Sequence, residues 1–184
     1  MSRTLEARWQ DWAGIGLQHL VLREAEDEIV AEAAVVGDEE GTRFGARFRI
    51  ACDGAWRVRR VEVETVGGRA IVLTADGAGH WRDGAGSPRP ELDGAIDVDL
   101  PMTPFTNTLP IRRLNLRAGE SADLRVVYIV MPQGSVTLSP QRYTCLSPRR
   151  RYRYESLDAD FVAEVEVDAD GLVVTYPDLF RRVA

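Results

Sequence analysis

The chain has 184 residues, 45% hydrophobic and 28% charged, which is enough to bury one sizeable core and too apolar for a disordered chain. Its 29 acidic residues outweigh its 23 basic ones, for a net charge of -6, so nucleic-acid binding through phosphate neutralisation is excluded as a leading function. Every basic residue is arginine, and each such cation is a planar fork suited to carboxylates and phosphates.

The first residues, Met1 to Glu6, lack the apolar stretch of a signal peptide. No apolar run approaches the ~20 residues of a membrane span. A cytoplasmic location is therefore expected. Period-two alternation then dominates. Phe44, Ala46, Phe48, Ile50 and Cys52 share one face of a strand, with Arg43, Arg47 and Arg49 on the other. Leu124, Val126, Tyr128 and Val130 form a similar face, as do Phe161, Ala163, Val165 and Val167. Further strands are predicted at 4–12, 17–23, 28–36, 56–66, 69–75, 95–100, 136–146, 150–156 and 172–176. Glycine-bearing turns separate them, and Gly67-Gly68 marks a two-residue hairpin. The segment 77–94 is rich in Gly, Pro and Asp and reads as a long surface loop. His80 and Trp81 lie in it, where an exposed aromatic could contact a ligand or, as is favoured, one buried ring anchors the loop. Across residues 1–184 no linker is visible, so a single domain is expected.

Residues 104–116 carry the one strong helical pattern. Phe105 and Leu109 are four apart, Ile111 and Leu114 three apart. Thr106, Asn107 or Thr108 could cap the helix, with Pro110 in its first turn. A lone helix among strands needs a sheet to lie against, and a strongly twisted sheet can curl around it.

Four groups of residues could carry chemistry. Asp97 and Asp99 share a face of strand 95–100. They could act as acid and base, or they could pair with Arg112 and Arg113 just downstream. If the helix start is enclosed, at least one of those arginines must be paired. In the run 149–154, Arg150, Tyr152 and Tyr154 share one strand face, and they could hold a headgroup by stacking and forked hydrogen bonds. Arg149, Arg151 and Arg153 face the other way, where Glu62, Glu64, Glu164 or Glu166 could pair with them. Residues 166–171 match the first half of a calcium loop, but Pro177 stands where the bidentate Glu is needed. Asp168 to Gly171 therefore reads as a hairpin turn, and no metal is expected. Cys52 and Cys145 have no metal-ligand spacing and are expected as buried free thiols. His19 is isolated. Neither a nucleophile elbow nor a phosphate-binding glycine loop is present, and no cofactor or catalytic residue is assigned.

Residues 97–114, Asp-Val-Asp-Leu-Pro-Met-Thr-Pro-Phe-Thr-Asn-Thr-Leu-Pro-Ile-Arg-Arg-Leu, resemble the signature of the bacterial putative glycolipid-binding family. So do the pattern around Trp9 and the stretch from Asp160-Phe161 through Asp170-Gly171-Leu172-Val173 to Tyr176-Pro177-Asp178-Leu179-Phe180. The resemblance implies a spiral β-roll, mainly β, in which about fifteen antiparallel strands wrap a single helix, assembled as a homodimer. The function it implies is non-catalytic binding of a lipid or glycolipid, within glycolipid metabolism or transport. An anionic glycolipid is the expected ligand. The candidate ligand-binding residues are Asp97, Asp99, Thr106, Asn107, Arg112, Arg113, Arg150, Tyr152 and Tyr154. Two alternatives stand beside this reading: an enzyme acting on a small carbohydrate-like or lipid-like substrate, and a structural or dimerisation domain. Neither nucleic acid nor a membrane span enters any of them.

Overall fold

The computed structural model describes residues 2–39 and 41–184. Among these, fourteen strands join in one sheet. In chain order they are β1 (Arg3–Asp11), β2 (Leu17–Glu24), β3 (Glu28–Glu39), β4 (Thr42–Asp53), β5 (Val58–Thr65), β6 (Ala70–Ala75) and β7 (Trp81–Asp83). The second half comprises β8 (Asp97–Asp99), β9 (Ser121–Val130), β10 (Ser135–Ser147), β11 (Arg151–Ser156), β12 (Val162–Val167), β13 (Val173–Tyr176) and β14 (Phe180–Val183). The order across the sheet runs from β7 back to β1, then from β14 back to β8. Each half is a meander of neighbours, and the two halves meet at the antiparallel β1–β14 seam, where Arg8 faces Val183 and Asp11 faces Phe180. Only β8 and β9 pair in parallel, because the helix lies between them and forms the crossover.

The sheet curls without closing. Its β8 edge reaches back to β5, where Val58 N donates to Ile96 O at 3.3 Å. On the other side the β5–β6 turn meets the β9–β10 turn, so closely that a Cβ on Gly134 would fall 2.6 Å from Arg69 Cδ. Alternation decides which side turns inward. On β4, Ala46, Phe48, Ile50 and Cys52 are buried, while Arg43 and Arg47 are exposed. The inner face wraps a short 3-10 turn, Pro104–Asn107, followed by the helix α1, Thr108–Leu114. Phe105 and Leu109 are buried there, and the Phe105 ring lies 6.4 Å from that of Phe48. Leu100, Met102, Trp9, Leu20 and Val61 complete this main core. Each large apolar side chain so buried contributes about 1.5–3 kcal/mol. The helix therefore fills the roll. A smaller core of Tyr143, Cys145, Tyr152, Tyr154, Val165, Val173 and Tyr176 lies under β10 to β13.

Four hairpins share one turn. Asp53, Asp76, Asp83 and Asp168 each accept, through Oδ1, the backbone N–H groups two and four residues on, at 2.7–3.1 Å. The residue three places after each aspartate is left-handed. It is Gly79, Gly86 and Gly171 in three of the turns, and Trp56 at φ 63° in the fourth. Glycine adopts that conformation without steric cost, and a tryptophan does not.

Several expectations change. The strands number fourteen among the described residues, one fewer than the resemblance implied. The segment 77–94 is structured: it holds β7 and a 3-10 turn at Pro90–Leu92, because two of the aspartate turns fold it back on β6. Trp81 is buried, and its Nε1 donates to Ala95 O at 2.8 Å. The helical segment begins at Pro104, where its pattern placed it, but as a 3-10 turn, and it ends sooner, at Leu114. Its first cap is Thr103, whose hydroxyl accepts from Phe105 N at 3.2 Å, and Asn115 ends it in the left-handed region. Phe161 is exposed, because it precedes β12 and leans on the rings of Tyr154 and Tyr176.

Candidate functional site

The segment from β8 to α1 carries a polar spine into the core. Asp97 is completely buried and takes a forked hydrogen bond from Arg113, with Nη2 at 2.5 Å and Nε at 3.1 Å. Burial pushes the Asp97 carboxyl up, and Arg113 opposes that shift. Asp99 accepts from Gln141 Nε2 at 2.7 Å and from Thr106 Oγ1 at 2.9 Å. Burial raises its carboxyl too, against those two bonds. Asn107 accepts from the Tyr143 hydroxyl at 2.8 Å. Thr103 donates to the buried Gln18 at 2.5 Å, and Thr108 donates to Gly171 O at 2.9 Å. The spine thus satisfies the helix start from β2, β8 and β10, as buried polar groups require. Both carboxylates are held by neighbours, which leaves little for acid–base work at Asp97.

Of the other candidates, Arg112 and Tyr152 meet at the rim of one pocket, and Arg150 and Tyr154 lie apart from it. Arg112 turns away from Asp97. Its guanidinium lies 4.4 Å from the centre of the Trp56 ring and bonds to Glu24 and to Asp170 O. Tyr152 and Tyr154 point into the smaller core. Arg150 is exposed in the turn before β11. Arg151 and Arg153 reach Glu164 across the strands at 3.5 and 3.6 Å. Cys52 and Cys145 are free and buried, and burial raises both thiols.

An apolar mouth opens at the end of the roll where β1 turns into β2. It is a pocket of about 390 Å³, within the size range of small-molecule sites. Trp9, Gln18, Val35 and Met102 are the buried side chains of its lining, while Trp12, Ile15, Leu17, Val36, Phe44 and Leu179 line it nearer solvent. Of these, Ile15, Leu17 and Val36 are 61%, 52% and 62% exposed. Large apolar side chains gathered round a pocket are a contiguous patch, unlike isolated surface leucines. Asp11 shapes the rim: its carboxylate accepts from Ile15 N and Gly16 N. Asp38, Glu39 and Asp178 line the pocket with it, and no arginine does.

Phe180 connects this mouth to a second feature. It lines the mouth and also packs against the smaller core. Beside it, the rings of Tyr154, Phe161 and Tyr176 lie 5.9–6.4 Å apart. Among the described residues the hydroxyls of Tyr128, Tyr154 and Tyr176 have no hydrogen-bond partner, yet none is a buried unsatisfied atom. None of the three is therefore sealed from solvent. Burial pushes Tyr128 up to about 12, with the Asp99 charge adding to it. Burial and Asp99 raise Tyr154 and Tyr176 likewise. All three are neutral donors and acceptors at ordinary pH. Of the sequence candidates, Asp99, Thr106 and Tyr154 meet here. Alternation and motif spacing do not mark Trp12, Ile15, Leu17, Val36, Leu179, Tyr128 or Tyr176 as site residues. The signal available was an apolar run across a Gly-rich turn, Trp12 to Leu17, where exposure to solvent would ordinarily favour polar residues.

A second depression, about 410 Å³, lies on the outer face of β2 to β6, lined by Val21, Ala34, Ile71 and Val72 among charged residues. Its charges pair with one another, as Arg47 does with Glu64. It is a saddle produced by sheet twist.

Fold and site together define a class: an open spiral β-roll with a filled interior and an apolar mouth at one end. The chain belongs to the family described as putative glycolipid-binding, whose model matches residues 6–182. It is also similar to a crystal structure of a DUF1089 family protein from Pseudomonas aeruginosa, at 36% identity and a TM-score of 0.78 over 98% of this chain and 92% of that one. None of the curated proteins matches it. No helix among the described residues is long and apolar enough to cross a membrane.

Proposed function

We propose that the protein binds an amphiphile with an alkyl tail and a neutral sugar headgroup, without catalysing a reaction on it. The observation that carries this reading is the mouth, where Trp12, Ile15, Leu17, Val36 and Leu179 stay exposed round a pocket of about 390 Å³. A tail resting there gains about 0.8 kcal/mol for each CH₂ it buries. The tail lies along the mouth, since Phe105 and Leu109 occupy the interior of the roll. The tyrosine rings packed next to Phe180 carry what a sugar needs: ring faces and hydroxyls without a partner among the described residues, with the Asp99 charge felt at each. The acidic, arginine-free rim favours a neutral headgroup over the anionic one expected from sequence. The family description agrees with a glycolipid ligand.

Monomeric dodecyl maltoside, below its micelle concentration, is the probe. Calorimetry is expected to show saturable binding of dodecyl maltoside and none of maltose. Leu17→Asp and Val36→Asp are expected to abolish it at unchanged melting temperature, because both side chains are already solvent-exposed. Tyr176→Phe is expected to erase any preference for dodecyl maltoside over a dodecyl polyoxyethylene ether. Binding of maltose alone would return the enzyme reading. No binding, together with a concentration-dependent dimer that Leu17→Asp dissociates, would assign the mouth to a second copy of the chain.

A further inference from the structure

The opposite end of the roll holds a different kind of pocket. It encloses about 250 Å³, and its charged lining is Arg3, Arg112, Arg149 and Asp170. At β1, nine residues long, the two ends are about 27 Å apart at ~3.3 Å per residue. A ligand seated in the mouth does not reach here with a short headgroup, so this site is independent of the function proposed above.

Two residues at this end occupy positions where their turns call for glycine. In the turn Ser147 to Arg150, Arg150 N donates to Ser147 O at 3.1 Å. Pro148 takes the second place, and Arg149 the third with φ 56°. That is the place a type II turn reserves for Gly or Asn. Trp56 is the other: three sister aspartate turns place glycine at its left-handed position. The fold alone would be better served by glycine at Arg149, and among the described residues its side chain makes no ion pair or hydrogen bond that would offset the strain. Both residues serve the same pocket. Arg149 lines it, and Trp56 lies beneath Arg112, a second lining residue. Strained backbone gathered at one cavity is the usual mark of a site.

The charges define the ligand. Arg3 pairs with Glu24 and Asp170 at 3.0 and 2.8 Å, and Arg112 pairs with Glu24 at 3.3 Å. Among the described residues Arg149 makes no ion pair, so its cation is the one in the lining that no carboxylate already holds. The C-terminal end of α1 lies here too, and its partial negative charge offsets part of that excess. We infer that this pocket binds a phosphate group, through the forks of Arg149, Arg112 and Arg3. The turns at 25–27, 54–57, 148–150 and 169–171 carry none of the exposed large apolar side chains. The end therefore offers nothing to insert into a bilayer, and a small soluble phosphate ester is the favoured source.

The test compares wild type with Arg149→Gly. Calorimetry with inorganic phosphate and glycerol 3-phosphate is the first arm, with acetate as control. Co-sedimentation with phosphatidylcholine vesicles containing phosphatidylglycerol is the second. Wild type is expected to bind the soluble phosphates saturably and acetate weakly. Arg149→Gly is expected to lose at least about tenfold in affinity while its melting temperature stays equal or rises, since glycine relieves the left-handed strain. Binding confined to the vesicle arm, and lost with Arg149, would keep the phosphate site and identify its source as a lipid headgroup. Absence of binding in both arms would overturn the inference. So would an Arg149→Gly variant that melts lower than wild type, because Arg149 would then be part of the structural ion network.

Discussion

At the residue scale, the two adjacent arginines of α1 show how one step along a helix changes the environment. Arg113 is 19% exposed and forks onto Asp97, which has no exposure. Arg112 is 28% exposed and lies between Trp56 and Glu24. Arg113→Ala leaves a buried carboxylate uncompensated and is expected to cost about 3–5 kcal/mol at neutral pH. Arg112→Ala removes a cation–π contact and a partly exposed ion pair, and is expected to cost about 1–2 kcal/mol. The pH dependence separates them further. Burial raises the Asp97 carboxyl in the folded protein, and Arg113 restrains that rise. In Arg113→Ala the restraint is gone, so the folded carboxyl titrates higher still, above its unfolded value of 3.8. A carboxyl raised on folding binds its proton more tightly in the folded state, so stability grows as pH falls through the folded value towards 3.8. Urea unfolding at pH 7 and pH 5 should therefore show the Arg113→Ala deficit shrinking at the lower pH, and the Arg112→Ala deficit holding. Equal deficits at both pH values in the two variants would contradict the pairing. The sequence made the need for an Asp–Arg pair legible, because an enclosed helix start cannot hold a lone guanidinium. Which arginine takes Asp97 depends on the 3-10 turn that precedes α1, and side-chain spacing does not reveal that turn.

At the element scale, the short helix is held by its flanks more than by its own propensity. Seven residues are too few for a stable isolated helix. Thr103 supplies the first cap and also reaches Gln18 on β2, so it ties the helix start to the sheet. Thr103→Ala is expected to cost about 1–2 kcal/mol, at the upper end for a lost cap. Thr103→Ser should retain nearly all of that, and a denaturant titration of the two variants would check it. Loss in both to the same extent would show that the methyl group, not the hydroxyl, matters. The strands were readable from sequence because alternation records burial directly, as on β4. The segment 77–94 was not, because its order comes from aspartate side chains bonding to backbone N–H groups within each turn. A composition rich in Gly and Asp describes such a turn and a solvated loop equally well. The mouth is not legible in the sequence for a related reason. Trp12 just after β1, Leu17 at the start of β2, Val36 on β3 and Leu179 before β14 are brought together only by the curl of the sheet.

At the scale of the whole molecule, the topology has one long-range antiparallel join. Within each half every antiparallel neighbour is consecutive in sequence, while the β1–β14 seam unites residues such as Arg8 and Val183 from the two ends of the chain. Trp9 sits on this seam, buried, with its Nε1 donating to Val173 O at 2.7 Å and Arg182 over its ring. The two meanders can form locally, but the central seam must wait for both, and pairing of distant segments slows folding. A circular permutant tests this. The stretch of β1 beyond Arg8 runs five residues to Arg3, about 17 Å, so a flexible linker of about eight residues can join residue 183 to residue 3. New ends would open between Ala85 and Gly86, where a Cβ on Gly86 would meet nothing within 4 Å. In that chain β8 comes first, β7 last, and the seam becomes a local connection like the hairpins around it. The permutant is expected to reach the same fold, judged by its far-ultraviolet and tryptophan signals, and to refold severalfold faster, with a modest loss of stability because the cut opens the Asp83 turn. Refolding at the wild-type rate would mean that the slow event lies elsewhere, with the β8-to-β9 crossover around α1 the remaining non-local step.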